Sequence, residues 1–243
     1  MNVRIRAVIE KEFREYRRNR MIVFTMAVLP LIFLAVPLVT ALVIPKSASE
    51  HLIDQLLGQT QLFLLLIALV LPSTVSAYTV IGEREQGTLE PVLTTPATDS
   101  ELLLGKAIAA VAPAIGLAWL LYVVFLVVVR FGATQAVVEH VWRADQFVGE
   151  LLLVPALAVL TITLGMMISA RTNDMRVAQQ LSGLVVLPMA IGYVFLSLGT
   201  IRPSVGLFAG LAIAIGIADV FLWRVMTGMF DRERLLTRFD SGR

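Results

Sequence analysis

The chain has 243 residues, of which 58% are hydrophobic and 16% are charged, and its mean hydropathy is +0.83. Soluble domains are about 45–50% apolar, so this composition indicates a membrane protein. The net charge of +2 comes without a basic face of aromatic and polar readers, which argues against a nucleic-acid-binding protein. Cysteine is absent, which excludes disulfides, thiolate metal sites and a cysteine nucleophile.

The N-terminal segment, residues 3–20, predicts an amphipathic helix at the membrane interface. Ile5, Ile9, Phe13 and Tyr16 are four, four and three residues apart, so they share one helix face while most charges lie elsewhere. A basic helix with one apolar face lies in the plane of the interface. Two roles remain open for this elbow helix: a plain anchor for the first span, or an additional contact with a cytosolic partner.

Six segments are long and apolar enough to cross a membrane, which takes about 20 residues. Five of them carry no charge, and the last carries a single acid, Asp219. The predicted spans are residues 21–44, 61–81, 107–129, 151–170, 177–201 and 203–223. The predicted fold class is therefore all-α: a polytopic membrane protein with six transmembrane helices in one domain, residues 1–243. The outer loops, at about 45–60, 131–149 and 200–203, are predicted to be short.

The distribution of Lys and Arg predicts the orientation. With the N-terminus inside, the inner segments hold 16 of the 20 Lys and Arg residues. Lys and Arg are concentrated in cytoplasmic loops. Both termini are therefore expected in the cytosol, together with the segment 83–106 between the second and third spans.

The segment 83–106 reads EREQGTLEPVLTTPATDSELLLGK and is polar between two apolar spans. It predicts a short helix, a break before Pro96 and a second short helix. Asp99 or Ser100 is expected to cap the second helix, with Glu101 in its first turn. Apolar side chains among the charges favour a protein contact, and a solvated loop is the alternative.

A second polar element, residues 171–180, follows the fourth predicted span. Thr172 or Asn173 is expected to cap a short helix that leads into the fifth span. This element is short enough to be either a small second contact or a simple turn.

Several of these stretches together resemble the permease subunit of type-2 ATP-binding-cassette (ABC) transporters, and specifically exporters. The resemblance rests on IGEREQGTLEPVLTTP at 81–96, SELLLGK at 100–106, KEFREYRRNR at 11–20 and SARTNDMRVAQQLSG at 169–183. It covers nearly the whole chain in order. It implies a transmembrane permease subunit, with the segment 83–93 forming a coupling helix that docks on a separate ATPase subunit.

The resemblance also implies the site residues and the partners. The residues expected to contact the ATPase are Glu83, Glu85, Gly87, Thr88, Leu89, Glu90 and Leu93. Two ATPase subunits would bind ATP and Mg, and a second permease copy, most simply the same chain, would complete the pathway in a prokaryotic cell membrane. The transported substrate is not readable.

The chain itself is not expected to be an enzyme or to bind a cofactor. Gly105 and Lys106 lack both the upstream glycine and the following Ser or Thr of a phosphate-binding loop. His51 and His140 are expected to be solvated loop residues, and no metal site is predicted.

Hydroxyl side chains on the second and fifth spans are candidates for lining the transport pathway. They are Ser73, Thr74, Ser76, Tyr78, Thr79, Tyr193 and Ser197. Asp219 is expected to pair with an arginine near the inner interface, because intramembrane acids need partners. Two other functions remain open: a proton-driven secondary transporter that uses Asp219, and a membrane scaffold without transport activity.

Overall fold

A computed structural model describes residues 3–78, 98–172, 174–188, 191–192, 195 and 203–229. Within these ranges the chain is helical and contains no strand. The helices are α1 (Val3–Arg18), α2 (Arg20–Val43), α3 (Glu50–Tyr78), α4 (Asp99–Gly132), α5 (Gln135–Val141), α6 (Ala144–Arg171), α7 (Met175–Gly183) and α8 (Val205–Met229). A single turn of 3-10 helix, Leu184–Val186, follows α7 directly.

Five of these helices, α2, α3, α4, α6 and α8, are long and apolar enough to cross a membrane. They correspond to five of the six predicted spans. The remaining predicted span, 177–201, begins within α7 and the 3-10 turn, and most of its residues from 189 onward lie outside the described residues.

Three of the long helices begin earlier than predicted. α3 begins at Glu50 rather than at residue 61, α4 begins at Asp99 rather than at residue 107, and α6 begins at Ala144 rather than at residue 151. The prediction that 45–60 and 131–149 are loops is therefore wrong, and α5 lies inside the second of these segments. The added turns of α3 are amphipathic: Ile53 and Leu57 are buried, whereas Glu50 is exposed. Polar residues on the outer face lower the mean hydropathy of these turns, although their inner face packs in the core.

Contacts at both ends show that α3, α6 and α8 run parallel. Nε2 of Gln61 on α3 donates to the carbonyl oxygen of Gln146 near the start of α6, 3.2 Å away. Ser76 near the end of α3 packs against Gly165 toward the end of α6.

α8 runs in the same direction as α6. Phe208 near the start of α8 packs against Gly149 near the start of α6. At the other end, Arg171 of α6 lies 3.3 Å from the sulfur of Met229 on α8.

The other two long helices, α2 and α4, run the opposite way. A Cβ atom on Gly132, at the end of α4, would lie 2.7 Å from Leu42, at the end of α2. The bundle thus has two ends. The "α1 end" holds α1, the start of α4 and the last residues of α3, α6 and α8. The "α5 end" holds α5 and the starts of α3, α6 and α8.

The core is formed by two clusters of buried side chains. The larger joins α2, α3, α4, α5, α6 and α8 and includes Leu64, Phe125 and Leu157. The smaller lies toward the α1 end and includes Tyr16 of α1 and Leu103 of α4. α1 therefore packs into the bundle instead of lying apart from it.

Candidate functional site

The candidate site is the contact between α1 and the first turns of α4, which we call the α1–α4 junction. It is formed by Val8 and Glu12 of α1 and by Gly105 and Lys106 of α4. A Cβ atom on Gly105 would lie only 2.7 Å from Cγ1 of Val8. A glycine is needed at this position because any side chain would push the two helices apart.

A buried ion pair lies beside this close approach. Nζ of Lys106 is 2.9 Å from Oε1 of Glu12, and the two side chains are 4% and 5% exposed. Lys11 also approaches Glu12, at 3.4 Å. Burial alone would raise the pKa of the Glu12 carboxyl, but Lys106 and Lys11 together hold this pKa below its usual value. Glu12 is therefore charged at neutral pH and joins α1 to α4.

The start of α4 is fixed by a capping box. Oγ1 of Thr98 accepts from the backbone N–H of Glu101, and Oε2 of Glu101 accepts from the backbone N–H of Thr98, at 3.3 and 3.0 Å. Asp99 and Ser100, the predicted caps, are wrong by one or two residues, because Thr98 with a Glu three residues later satisfies both orphan donors. Arg4 of α1 lies 3.5 Å from the same Glu101 carboxylate.

The cap of α7 also differs from the prediction. Asp174, and not Thr172 or Asn173, caps this helix: Oδ1 accepts from the backbone N–H groups of Arg176 and Val177 at 2.7 and 3.3 Å. The carboxylate reaches two orphan donors at once, and its negative charge suits a helix N-terminus.

The inward face of α1 differs from the predicted face at one position. Phe13 is 39% exposed, although its ring still meets the edge of Tyr16 at 6.3 Å. Glu12 takes the inward position instead, in a stripe with Val8 and Tyr16 at spacings of four residues. The ion pair with Lys106 offsets the cost of burying an acid on this face.

The residues predicted to contact the ATPase lie outside the described residues. They are Glu83, Glu85, Gly87, Thr88, Leu89, Glu90 and Leu93. The same holds for Thr79, Tyr193 and Ser197 among the predicted pathway residues. All of these assignments stay predictions.

The described pathway candidates lie at the end of α3. The hydroxyls of Ser73 and Thr74 donate to the carbonyl oxygen of Val70 at 2.8 and 3.0 Å. Ser76 donates to the carbonyl oxygen of Ser73 and is fully buried, packed against Gly165 of α6. Ser76 therefore faces no open path in this conformation. Tyr78 is the last residue of α3.

Asp219 lies on α8 and is 8% exposed. Within the part of the chain that the structure describes, its Oδ1 atom has no hydrogen-bond partner. The predicted pairing with an arginine is therefore not formed at this atom. Arg224, one and a half turns further along α8, is exposed.

Polar side chains also meet at the α5 end. Asp54 of α3 lies 2.8 Å from Nδ1 of His140 and 3.4 Å from Arg143, whose Nε is 3.3 Å from Asp145. The prediction that His140 is solvated is wrong, because its side chain is only 10% exposed. Burial lowers the pKa of His140 below its usual value, despite the opposing effect of Asp54.

The Glu12–Lys106 pair was not predicted from the sequence. A signal was present: Glu12 is the one acid four residues from both Val8 and Tyr16, and Lys106 is a cation at the edge of a long apolar run. Their pairing depends on how α1 folds back on α4, and helical periodicity alone carries no such information.

Long apolar helices gathered in one bundle, with an amphipathic helix held to the start of α4, define a multi-pass membrane protein. A family model described as "ABC-2 family transporter protein" matches residues 6–220. The chain therefore belongs to the ABC-2 transporter family, whose members are membrane components of transport and not themselves catalytic. A comparison with curated proteins finds no match.

Proposed function

We propose that the chain is the permease subunit of an ABC exporter, which pairs with a second permease copy and is driven by two separate ATPase subunits. Membership of the ABC-2 family supports the permease role and implies an ATPase partner. ATP and Mg would bind to that partner. The segment 83–93 would be the coupling helix on which the ATPase acts.

The α1–α4 junction is the observation that carries this proposal. The cap at Thr98 starts α4 directly after the segment 83–97, and α4 then runs unbroken to Gly132. Gly105 and the buried Glu12–Lys106 pair fasten the first turns of α4 to α1. A displacement of the segment 83–93 that reaches the cap at Thr98 would therefore move α4 and α1 together.

The parallel course of α6 and α8 supports the proposal of a sixth membrane crossing. α6 has 28 residues and is therefore about 42 Å long, at about 1.5 Å per residue. Residues 172–204 have to cover this length in the opposite direction. A helix over 177–201 would be about 37 Å long and would supply most of it. Six crossings would bring both termini to the same side.

The α1 end is the proposed cytosolic end in a prokaryotic cell membrane. The N-terminal segment and the residues flanking α4, α6 and α8 at this end supply most of the 16 Lys and Arg residues assigned to the inner side. A strong excess of these residues marks the cytoplasmic face. This orientation would expose the segment 83–93 to a soluble ATPase.

The proposed dimer would form the pathway between two copies, lined in part by Ser73 and Thr74 of α3. Only 24% of the most apolar stretch of α2, and 11% of that of α8, is buried within this chain. These faces leave room for both lipid and a second copy. Co-purification of two differently tagged copies tests this arrangement, and recovery of one tag alone would contradict it.

Co-purification of an ATPase tests the coupling proposal. The chain is tagged at its C-terminus and extracted gently from its native host, and the partners are identified. We expect a soluble ATPase, which is lost when Leu89→Arg and Glu90→Lys are combined. The matched control combines Leu52→Arg and Glu139→Lys, which place the same new charges on exposed residues at the α5 end. Loss of the ATPase in both variants, or recovery of the chain with no ATPase at all, would contradict the proposal.

A proton-driven transporter is the second candidate function, because Asp219 is buried and its Oδ1 has no partner in the described residues. This function requires Asp219 and no ATPase. Transport that survives Asp219→Asn would remove it. Capture of a partner other than an ATPase by the segment 83–93 would instead favour the scaffold.

A further inference from the structure

Glu150 lies inside the bundle near the α5 end, on the second turn of α6. Its side chain is 1% exposed. Within the described residues, neither of its carboxylate oxygens has a hydrogen-bond partner. A carboxylate that leaves water without a partner is strongly unfavourable, so this position needs a compensating ligand.

Other unsatisfied polar atoms surround Glu150. Gln146 lies one turn earlier on the same face of α6 and is 6% exposed. Tyr122 of α4 is 8% exposed. Neither Nε2 of Gln146 nor the hydroxyl of Tyr122 has a hydrogen-bond partner in the part of the chain that the structure describes. Glu150 and Asp145 both lie close enough to act electrostatically on that hydroxyl. Gln61 of α3 donates to the backbone of Gln146, so three helices meet at this point.

The charged groups nearby do not neutralise Glu150. Arg143 is engaged by Asp54 and Asp145, and His140 is engaged by Asp54. α3 contributes the neutral Gln61. α8 contributes the ring of Phe208, which packs against Gly149. Among the described residues, the titratable group beside Glu150 is therefore Tyr122, which brings no positive charge.

A metal ion fits this position poorly. The described residues contain no group of three or more His, Asp or Glu side chains that could hold one. One carboxylate with neutral neighbours offers a single negative charge. A proton satisfies that charge in the least space.

We propose that Glu150 is a proton-binding site. In the packed arrangement its carboxyl group holds a proton, so its O–H group can donate to the hydroxyl oxygen of Tyr122 while its carbonyl oxygen can accept from Nε2 of Gln146. When α3, α4 and α6 separate at the α5 end, water reaches Glu150 and accepts the proton. Repacking takes a proton back from water at the same end. ATP-driven coupling at the α1 end does not require this site, so the inference goes beyond the proposed function.

Infrared difference spectroscopy of the purified protein tests the proton directly. We expect a carbonyl band of a protonated carboxylic acid at neutral pH that Glu150→Gln removes. Asp219→Asn should leave this band in place, as should Glu139→Gln, which alters an exposed acid on α5. If Glu150→Gln fails to fold, the Asp219→Asn variant still decides. A spectrum of that variant without a protonated-acid band at neutral pH would overturn the proposal.

Thermal unfolding across pH gives a second readout. If Glu150 keeps its proton when folded and loses it when unfolded, stability falls as the pH rises above the usual range for a glutamate. We expect the melting temperature of the wild type to fall relative to that of Glu150→Gln as the pH rises from the usual range for a glutamate toward neutral pH. Equal pH dependence in both proteins would contradict this. A different result would also contradict the proton site: sodium stabilises the wild type but not Glu150→Gln, and no protonated-acid band is seen. Glu150 would then bind a metal cation instead of a proton.

Discussion

Glu12 and Lys106 form an ion pair that is almost fully enclosed between α1 and α4. Removal of one partner leaves the other charge buried and unpaired, which costs about 3–5 kcal/mol. We expect Glu12→Gln and Lys106→Met each to lower the free energy of unfolding by about this amount. The combination Glu12→Leu with Lys106→Met should recover most of the loss, because a buried pair can be replaced by apolar side chains.

Chemical or thermal unfolding in detergent measures this prediction. Arg6→Gln, which disrupts the exposed pair of Arg6 with Glu10, is the matched control and should change stability little. The pKa of Glu12 is lowered in the fold, so its contribution is present above about pH 4.5 and is lost as the pH falls through the lowered value. A double variant as unstable as the sum of its single variants would show that no pairing exists.

His140, a basic group, also makes the stability of the protein depend on pH. Its pKa is lowered by burial from 6.5, so the unfolded chain binds a proton at a higher pH than the folded chain. Stability is therefore complete above the unfolded value and declines as the pH falls below it. We expect His140→Gln to flatten the decline in melting temperature between neutral and mildly acid pH. His51→Gln, on an exposed residue of α3, should leave it unchanged. A steeper decline in His140→Gln would contradict the burial argument.

Individual residues were the hardest feature to predict. The predicted fourth span begins only at residue 151, because the charge of Glu150 interrupts the apolar run there. The structure instead continues the helix through it and buries it. A hydropathy value depends only on the residue type, so a buried acid can be recognised only when the positions of the neighbouring helices are known.

The two helices at the junction approach each other through Gly105. Gly105→Ala would bring a Cβ atom to 2.7 Å from Val8, and overpacking of this kind costs about 1–3 kcal/mol. We expect Gly105→Ala to lower the free energy of unfolding and to reduce ATP-driven transport. Adding Val8→Gly should restore transport, because it removes both atoms of Val8 that clash, Cγ1 at 2.7 Å and Cβ at 2.8 Å.

Gly116→Ala is the matched control for this test. It lies on the same helix, and nothing approaches its Cβ position within 4 Å. It should be neutral or slightly stabilising, since alanine favours a helix over glycine. Equal losses in both glycine variants would place the effect in α4 itself and not in its contact with α1.

The existence of the long helices was predictable, whereas their boundaries were not. Uninterrupted apolar runs long enough to cross a membrane identify α2, α3, α4, α6 and α8 without further information. Their amphipathic extensions, such as the first turns of α3, depend on partners in the bundle. The spacing of Thr98 and Glu101 is that of a capping box, so this cap was predictable from the sequence. Asp99 and Ser100 were predicted instead because both residue types are also preferred N-caps.

The path of the chain between α6 and α8 decides the number of crossings. The protein has no cysteine, so a single introduced cysteine reports its own side of the membrane. We expect a membrane-impermeant thiol reagent to label Asp174→Cys from the same side as Arg14→Cys. Ser204→Cys should be labelled from the opposite side, as should Ala48→Cys. Labelling of Asp174→Cys and Ser204→Cys from one side would leave five crossings and contradict the sixth.

The proposed coupling requires an ATPase that touches the segment 83–93. The most direct measurement places a photo-crosslinking amino acid at position 89 and illuminates native membranes. We predict a crosslink to an ATP-binding ATPase subunit, and no such crosslink from the same amino acid at position 52, which is exposed at the α5 end. An ATPase captured from both positions, or from neither while the chain remains folded and inserted, would contradict coupling through this segment.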